Sequence, residues 1–388
     1  MLKKVAVVTA TRAEYGILKN VIEKIDKSEQ LELCLMVTGA HLVAEYGMTV
    51  KEIEQDGYEI SEKIDMLLSS NTCTSISKSM GLAMILFAEA FERQKPDMLV
   101  VLGDRYELLS VCGAAMNAGI PIAHISGGET TQGAIDESVR HCITKMSYLH
   151  FPACETYRRR IIQLGEEPDR VYNFGDVGVE MVHTIPKMTK QELEASIDFT
   201  LDRPFFSVTF HPVTLEAEEA EKQMKEVLSA LDEFPEMKFV FTKANADAGG
   251  KTINNLIDQY TVTHNNCIAF ASLGIKRYLS LLQYANGVLG NSSSGIVEAP
   301  AFGIPTINIG NRQKGRLQAD SILNCEPKRD QIVKMIIRSQ SKEFTERAKR
   351  TKNPYGNGDT SSQIVQIITD YLYQNKINSQ KKFYDIVF

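Results

Sequence analysis

The strongest constraint on the fold is a repeated alternation. Short, unbroken apolar runs are each followed by a stretch of helical period. Val5–Thr9, Leu31–Val37, Met98–Gly103, Pro121–Ile125 and Val171–Phe174 have strand length, and between them lie helix candidates Tyr15–Ile25, Ser75–Arg93, Arg105–Ala118 and Ile135–Ser147. Runs that are apolar at every position, rather than at alternate ones, suit strands buried on both faces, as in a parallel sheet covered by crossover helices. The pattern loosens over Met181–Phe199, a Lys/Glu-rich stretch containing Pro186 that reads as a linker. A second series then begins. Its strands are Phe205–Phe210, Lys238–Thr242, Cys267–Phe270, Gly287–Leu289 and Pro305–Ile309, alternating with helices Glu216–Leu231, Lys251–Tyr260, Ile275–Gln283 and Gly295–Phe302. The expectation is an α/β chain with two Rossmann-like domains, 1–180 and 200–360. A Gly/Pro/Asn break at Asn353–Gly358 precedes a last helix, Ser361–Tyr373, within a C-terminal segment 361–388.

At 388 residues the chain has length for two separate cores. Its net charge of −6 leaves no footprint for nucleic acid, and no basic block suggests a membrane surface. The apolar run after Lys3-Lys4 is too short for a signal peptide, and no stretch approaches a membrane span. Seven dispersed cysteines without a Cys-x-x-Cys pair read as reduced thiols, which places the chain in the cytoplasm. No Gly-x-Gly-x-x-Gly follows Val5–Thr9 and no Walker A motif occurs, so NAD and P-loop chemistry are disfavoured. No His/Cys cluster has zinc spacing and no Asp-x-Asp pair suggests a divalent site, so neither metal nor cofactor is expected.

Ionisable groups concentrate between His124 and Lys145. A strand-like run breaks at Gly127-Gly128, and a helix restarts beyond it. The glycines permit positive φ and close backbone approach. Glu129 sits on the loop leaving the carboxyl end of a buried strand, where open α/β sheets place ligands. On the helix, Asp136/Arg140 and Glu137/His141 are i,i+4 pairs, which an ordinary solvated helix face also carries. Asp104, after the Met98–Gly103 strand, fits either a helix N-cap or a catalytic carboxylate. Arg12, after the first strand, suits a phosphate or a local carboxylate equally.

In the second half, Gly290-Asn291-Ser292-Ser293-Ser294-Gly295 follows a strand and opens a helix. Small residues there let backbone N–H groups and hydroxyls converge on an anion, with the helix N-terminus adding positive potential. A plain Ser N-cap is the bland alternative. Glu298, one turn on, is placed to accept two vicinal ribose hydroxyls. His211, held extended by Pro212, ends a strand. The polar loops Asn245–Gly250 and Gly310–Arg316 also end strands, the latter supplying Arg312 as a second phosphate candidate.

Taken in order, these loops resemble the UDP-N-acetylglucosamine 2-epimerase superfamily, most closely its hydrolysing, sialic-acid-pathway branch. The resemblance rests on Thr-Arg-Ala-Glu-Tyr-Gly (11–16), Thr-Gly-Ala-His-Leu (38–42), Leu-Gly-Asp-Arg-Tyr-Glu (102–107) and Gly-Gly-Glu-Thr-Thr-Gln-Gly (127–133). It continues through Ile-Asp-Glu (135–137), Arg-His-x-Ile-Thr-Lys (140–145), His-Pro-x-Thr (211–214), Asn-Ala-Asp-Ala-Gly (245–249), Asn-Ser-Ser-Ser-Gly-Ile-Val-Glu (291–298) and Asn-Ile-Gly-x-Arg-Gln-x-Gly-Arg (308–316). Each piece is weak, the combination is specific, and together they span nearly the whole chain.

The resemblance implies a GT-B-like fold, with two domains facing across a cleft and the C-terminal helix crossing back to the first. It implies a homo-oligomer, dimer or tetramer, acting on a UDP-sugar. It also implies a reaction: anti elimination of UDP to a glycal, then hydration to N-acetylmannosamine. Asp104, Glu129 and Asp136 match the family's acid/base carboxylates, and His211 joins them as a catalytic candidate. Arg12, Arg105, Asn245, Asp247, Phe270, Ser292, Ser293, Glu298 and Arg312 are the implied substrate-binding set. Clustered carboxylates would hold their pKa values apart, letting acid and base forms coexist. UDP-N,N'-diacetylbacillosamine is the rival substrate; a glycosyltransferase and a non-catalytic nucleotide-sugar sensor are the more distant alternatives.

Overall fold

The computed structural model describes residues 2–386 apart from 69–71, 131–134, 213–218, 245–249, 357, 375–376 and 379. By internal contacts these fall into two units. One holds the described residues up to Met181 together with those from Gly358 on, and the other holds those from Val182 to Gly356.

The first unit is built on a six-stranded parallel sheet of β1 (Lys3–Thr9), β2 (Leu31–Thr38), β3 (Ile60–Ile64), β4 (Met98–Leu102), β5 (Ile122–Ile125) and β6 (Leu149–Phe151), in the order β3-β2-β1-β4-β5-β6. The unbroken apolar runs are explained by burial on both faces. Val5 and Val7 of β1 enter one core with Leu18 and Ile22 of the Arg12–Asp26 helix, while Ala6 and Val8 enter the opposite core with Phe87 and Phe91. The last helix, Thr360–Tyr373, belongs to this unit: Ile364, Ile368 and Leu372 are buried in the same core as Val21 and Ile22. Burying each such side chain contributes about 1.5–3 kcal/mol, which is ample to hold a helix that arrives so late in the chain.

The second unit repeats the plan with β7 (Phe205–Thr209), β8 (Lys238–Thr242), β9 (Cys267–Phe270), β10 (Gly287–Gly290), β11 (Thr306–Ile309) and β12 (Ile322–Cys325), ordered β12-β11-β10-β7-β8-β9. Counted from its own first strand, this order is the same as that of the first sheet. Here Phe206, Val208, Phe239 and Phe241 fill one face, and Phe205 and Val240 the other.

Four expectations need correction. Val171–Phe174 is not a strand: β6 is Leu149–Phe151, and Val171 makes only an isolated bridge to His150. The edge strands β3 and β12 lie outside the expected set because they are half-exposed and carry polar residues such as Glu62, Lys63 and Asn324. Within the supposed linker lie the helices Val177–Thr184 and Lys190–Ile197. The latter opens with a Thr189/Glu192 capping box that satisfies its first backbone donors. Gly295–Phe302 is not one helix. A single turn, Ser294–Val297, gives way to a 3-10 turn, Ala299–Phe302, at Pro300, which has no N–H to continue the ladder. All seven cysteines are unpaired, and no helix among the described residues is long and apolar enough to cross a membrane.

An Ile368→Ala substitution should lower the stability of the first unit by about 2–5 kcal/mol, the usual result of emptying a fully buried aliphatic site. Urea denaturation followed by tyrosine fluorescence checks this. A loss under about 1 kcal/mol would mean the last helix is not part of the core.

Candidate active site

In the first unit the site is built at the carboxyl ends of β4 and β5. The strand order of this sheet reverses beside β1 and β4, and such reversals open crevices at strand ends. β4 runs into Gly103, at φ +81°, followed by Asp104 and Arg105. The helix Tyr106–Asn117 is capped by Arg105 without a side-chain hydrogen bond, so Asp104 is not its N-cap. The Asp104 carboxylate turns instead to Arg140, from which it accepts a hydrogen bond.

β5 leads into Ser126, Gly127 and Gly128. Gly128 has φ +77°, and a Cβ there would lie 2.5 Å from the Tyr157 carbonyl oxygen, so no other residue fits without displacing the backbone. A guanidinium N–H of Arg160 donates to the Gly128 carbonyl, fixing the loop from the other side. Glu129 follows, 7% exposed, with Oε2 3.8 Å from Arg140 Nη1. Arg140 itself is 4% exposed on the helix Ile135–Met146.

One buried guanidinium thus gathers Asp104 and Glu129. This corrects the expected i,i+4 pairing of Arg140 with Asp136, because a contact shared by two carboxylates away from water outweighs an exposed helix pair of about 0.3–0.5 kcal/mol. Asp136 sits one turn earlier on the helix, half-buried, with no hydrogen bond or ion pair among the described residues. The other anticipated pair forms: His141 Nε2 lies 3.3 Å from Glu137.

His124 is a brace that is absent from the expected site residues. Its ring is fully buried, with Nε2 2.7 Å from the Gly103 carbonyl oxygen and Nδ1 3.3 Å from the Thr144 hydroxyl. It therefore ties the β4 loop to the helix that carries Arg140. Burial pushes its pKa down to about 3, so the ring is neutral. A histidine inside an otherwise apolar strand beside Gly-Gly was the available signal.

Arg105 donates from Nε to Glu107, at 2.7 Å. Glu14, buried beside it, accepts from the Ala10 and Thr11 backbone N–H groups, and burial raises its carboxyl to about 7. Arg12 pairs with Glu52 at 3.2 Å, both half-exposed, which is the local-carboxylate alternative of the two left open.

The second unit gathers a separate cluster at the ends of the adjacent strands β7, β10 and β11. Gly290 has φ +135°, and a Cβ there would lie 1.9 Å from the Thr209 carbonyl oxygen, which lets the chain turn tightly against β7. Asn291 is the hub. Its side chain accepts from the His211 backbone N–H at 2.7 Å and donates to the His211 carbonyl at 2.8 Å. Its own carbonyl accepts from Arg312 at 3.0 Å and Gln313 at 2.9 Å. Burial, together with the Arg312 charge, lowers the His211 pKa to about 4, so this ring is also neutral.

Ser292 accepts from the Ser294 N–H at 3.4 Å, and Ser293 is an N-cap whose side chain makes no cap bond. The plain cap is therefore not formed. The following helix is a single turn, so the expected helix-dipole contribution shrinks and the donors left are backbone N–H groups, hydroxyls and Arg312. Ser294 is held by the Tyr278 hydroxyl at 2.7 Å. Glu298 Oε2 is buried without a hydrogen-bond partner among the described residues, and burial raises its carboxyl. Phe270 ends β9 and packs into the core that contains Phe205 and Val240. Asn245 and Asp247 lie outside the described residues. Among the described residues no group of three His, Cys, Asp or Glu side chains is arranged to hold a metal.

Two parallel six-stranded α/β units of one topology, with polar clusters at their strand ends, define a GT-B-like protein. A solved structure of the same fold is the UDP-GlcNAc 2-epimerase from Neisseria meningitidis bound to UDP-GlcNAc, which superposes with a TM-score of 0.80 over 94% of this chain and 99% of that one at 19% identity. The family model for UDP-N-acetylglucosamine 2-epimerase matches residues 23–369, and the chain belongs to that family. It is 43% identical over 343 residues, 88% of each chain, to the GDP/UDP-N,N'-diacetylbacillosamine 2-epimerase (hydrolyzing) of Campylobacter jejuni. It is 38% identical over 386 residues, 99% of this chain and 98% of the other, to the polysialic acid biosynthesis protein P7 of Escherichia coli.

His124 supplies a pH test of this architecture. Its folded pKa lies below the unfolded value of about 6.5, so below that pH the unfolded chain binds a proton that the native ring refuses. Stability carried by this residue is complete above about 6.5 and is lost as pH falls. Relative to His124→Gln, wild type should lose about 1.4 kcal/mol per pH unit below that point. Denaturant titrations of both proteins between pH 7 and 5 give the difference; parallel curves would mean that His124 is charged or exposed.

Proposed function

We propose that the protein is a hydrolysing UDP-N-acetylglucosamine 2-epimerase, converting UDP-GlcNAc and water to N-acetylmannosamine and UDP for sialic acid biosynthesis. The observation that carries this reading is the convergence of Asp104 and Glu129 on buried Arg140, in a chain of this family. Removing the weakly acidic C2 hydrogen requires a positioned carboxylate base, and hydrating a glycal requires a group to protonate C2 and another to take a proton from water. Asp104, Glu129 and Asp136 are assigned these proton transfers. His211, neutral over the working pH range, joins the catalytic set as an N–H donor toward the leaving diphosphate.

The bonds balance in two steps. The base takes the C2 proton as the C1–O bond breaks and its electron pair leaves with UDP, giving the C1–C2 double bond. Water then adds its oxygen to C1, and a proton is delivered to C2 from the face opposite to the one that lost it. Donors aimed at the departing diphosphate lower the barrier of the first step. Arg105, Ser292, Ser293 and Arg312 are assigned to that anion, and Arg12 joins them on the resemblance alone, in exchange for its half-exposed pair with Glu52. Glu298, with its unpartnered buried oxygen, is assigned to the ribose hydroxyls. Phe270, Asn245 and Asp247 complete the proposed substrate-binding set on the strength of the resemblance alone, as does action as a dimer or tetramer. The unpaired thiols favour the cytoplasm.

A second reading is UDP-N,N'-diacetylbacillosamine as substrate, favoured by the 43% identity to the Campylobacter jejuni protein. Incubation with each UDP-sugar, followed by identification of the released sugar, separates the two. Release of N-acetylmannosamine supports the first reading; release of only a 2,4-diacetamido sugar replaces it with the second.

Two predictions follow from the chemistry. Glu129→Gln keeps the shape of the site but removes the charge. Turnover should fall by about two to four orders of magnitude, the usual worth of a positioned acid/base group, while UDP-sugar affinity by calorimetry stays within a few-fold. Unchanged turnover would remove Glu129 from the mechanism. In D₂O the product should carry one deuterium at C2 by NMR, and retention of the original hydrogen would rule out elimination.

A further inference from the structure

The C-terminal tail beyond the last helix takes part in a cluster of buried charge that the proposed reaction does not use. Lys381 Nζ reaches Glu166 Oε2 at 2.7 Å, the Lys145 carbonyl oxygen at 2.7 Å and the Ser147 carbonyl oxygen at 2.6 Å. All three of its hydrogens therefore have an acceptor. Glu166 is fully buried, and its other partners are Lys145 Nζ at 2.6 Å and His150 Nε2 at 3.0 Å. Three residues on, the Tyr384 N–H donates to the Gly165 carbonyl at 2.9 Å. Between them the Phe383 ring lies under Lys145 Nζ, 4.9 Å from its centroid, and against Gly165.

These contacts fall on the two elements that hold the carboxylates. Lys145 and Ser147 end the helix Ile135–Met146, which carries Asp136 and Arg140, and an ammonium on terminal carbonyls is the favourable cap for a helix C-terminus. Gly165 and Glu166 follow the helix Glu155–Gln163, whose Arg160 and Tyr157 fix Gly128 next to Glu129.

We propose that Lys381, with the tail segment around it, is a positioning residue for the proton-transfer site: it clamps the far ends of both helices that align Arg140, Asp136 and the Glu129 loop. The inference rests on the acid/base reading of that site. It acts on alignment and not on substrate affinity, because the polar contacts of the described tail residues fall on 145–148 and 165–166, outside the substrate-binding set. A misplacement of about 1 Å at a reacting group costs up to about a hundredfold in rate, so loosening the clamp should show in kcat.

The test compares full-length wild type with Lys381→Met and Phe383→Ala by two measurements: UDP release from the UDP-sugar that wild type accepts, and hydrogen exchange of residues 135–147. Lys381→Met should exchange faster over 143–147, lose about tenfold in kcat and keep KM within about twofold. Phe383→Ala should move both in the same direction but less, because its ring is largely exposed. Unchanged exchange in a folded Lys381→Met protein overturns the clamp. Faster exchange with unchanged kcat, or a loss confined to KM, overturns the link to alignment. If Lys381→Met does not fold, Phe383→Ala decides by the same criteria. A wild type that releases no UDP from either sugar defeats the functional reading instead, and the exchange arm then decides the clamp alone.

Discussion

The Arg140 guanidinium is the contact on which the first unit's strand-end cluster depends. It is almost without solvent, it receives Asp104 from one strand end and Glu129 from the next, and it converts two loops into one site. Two carboxylates drawn together without a cation would repel each other and take up protons. With the cation present the loops close on a common centre. Removing one partner of such a buried pair typically costs about 3–5 kcal/mol, so the arrangement is a folding constraint in its own right.

The surrounding parts hold that centre rigid by different means. His124 crosses beneath it as a neutral hydrogen-bonding strut, Gly128 admits a backbone carbonyl where a side chain would collide, and Arg160 pins the same loop from outside. The second unit uses a parallel device. Asn291 has its side chain bonded to both backbone groups of His211 and its carbonyl bonded to Arg312 and Gln313, so the ends of three adjacent strands are tied through one amide residue. In both units most of the clustered polar groups come from loops, and the stiffness comes from what is bonded behind them.

The repeated strand order accounts for where these clusters lie. Each sheet starts at its centre, runs to one edge, returns and runs to the other, so the strand order reverses once in each. Loops leaving strands next to that reversal diverge and leave room for a ligand. Asp104 leaves a strand at the reversal of the first sheet, and His211 and Asn291 leave the two strands at the reversal of the second.

The amino-acid sequence by itself determined the fold class, most of the central strands and the polar loops at their ends. Unbroken apolar runs can only be buried on two faces, and Gly/Ser/Asn/Asp clusters after them can only be turns. It could not determine which polar groups meet. Asp136 and Arg140 are neighbours along the helix, yet Arg140 bonds Asp104, 36 residues earlier in the chain. Lys381 and Glu166 are separated by most of the second unit. Edge strands such as β3 and β12, half-exposed and partly polar, gave no periodic signal, and the Ser-rich helix proved a single turn because Pro300 ends it. Periodicity and turn chemistry act over a few residues and are written locally. The pairing of buried charges is settled by which side chains the packed sheet brings within about 3–4 Å and out of water, where an unpaired charge is too costly to keep.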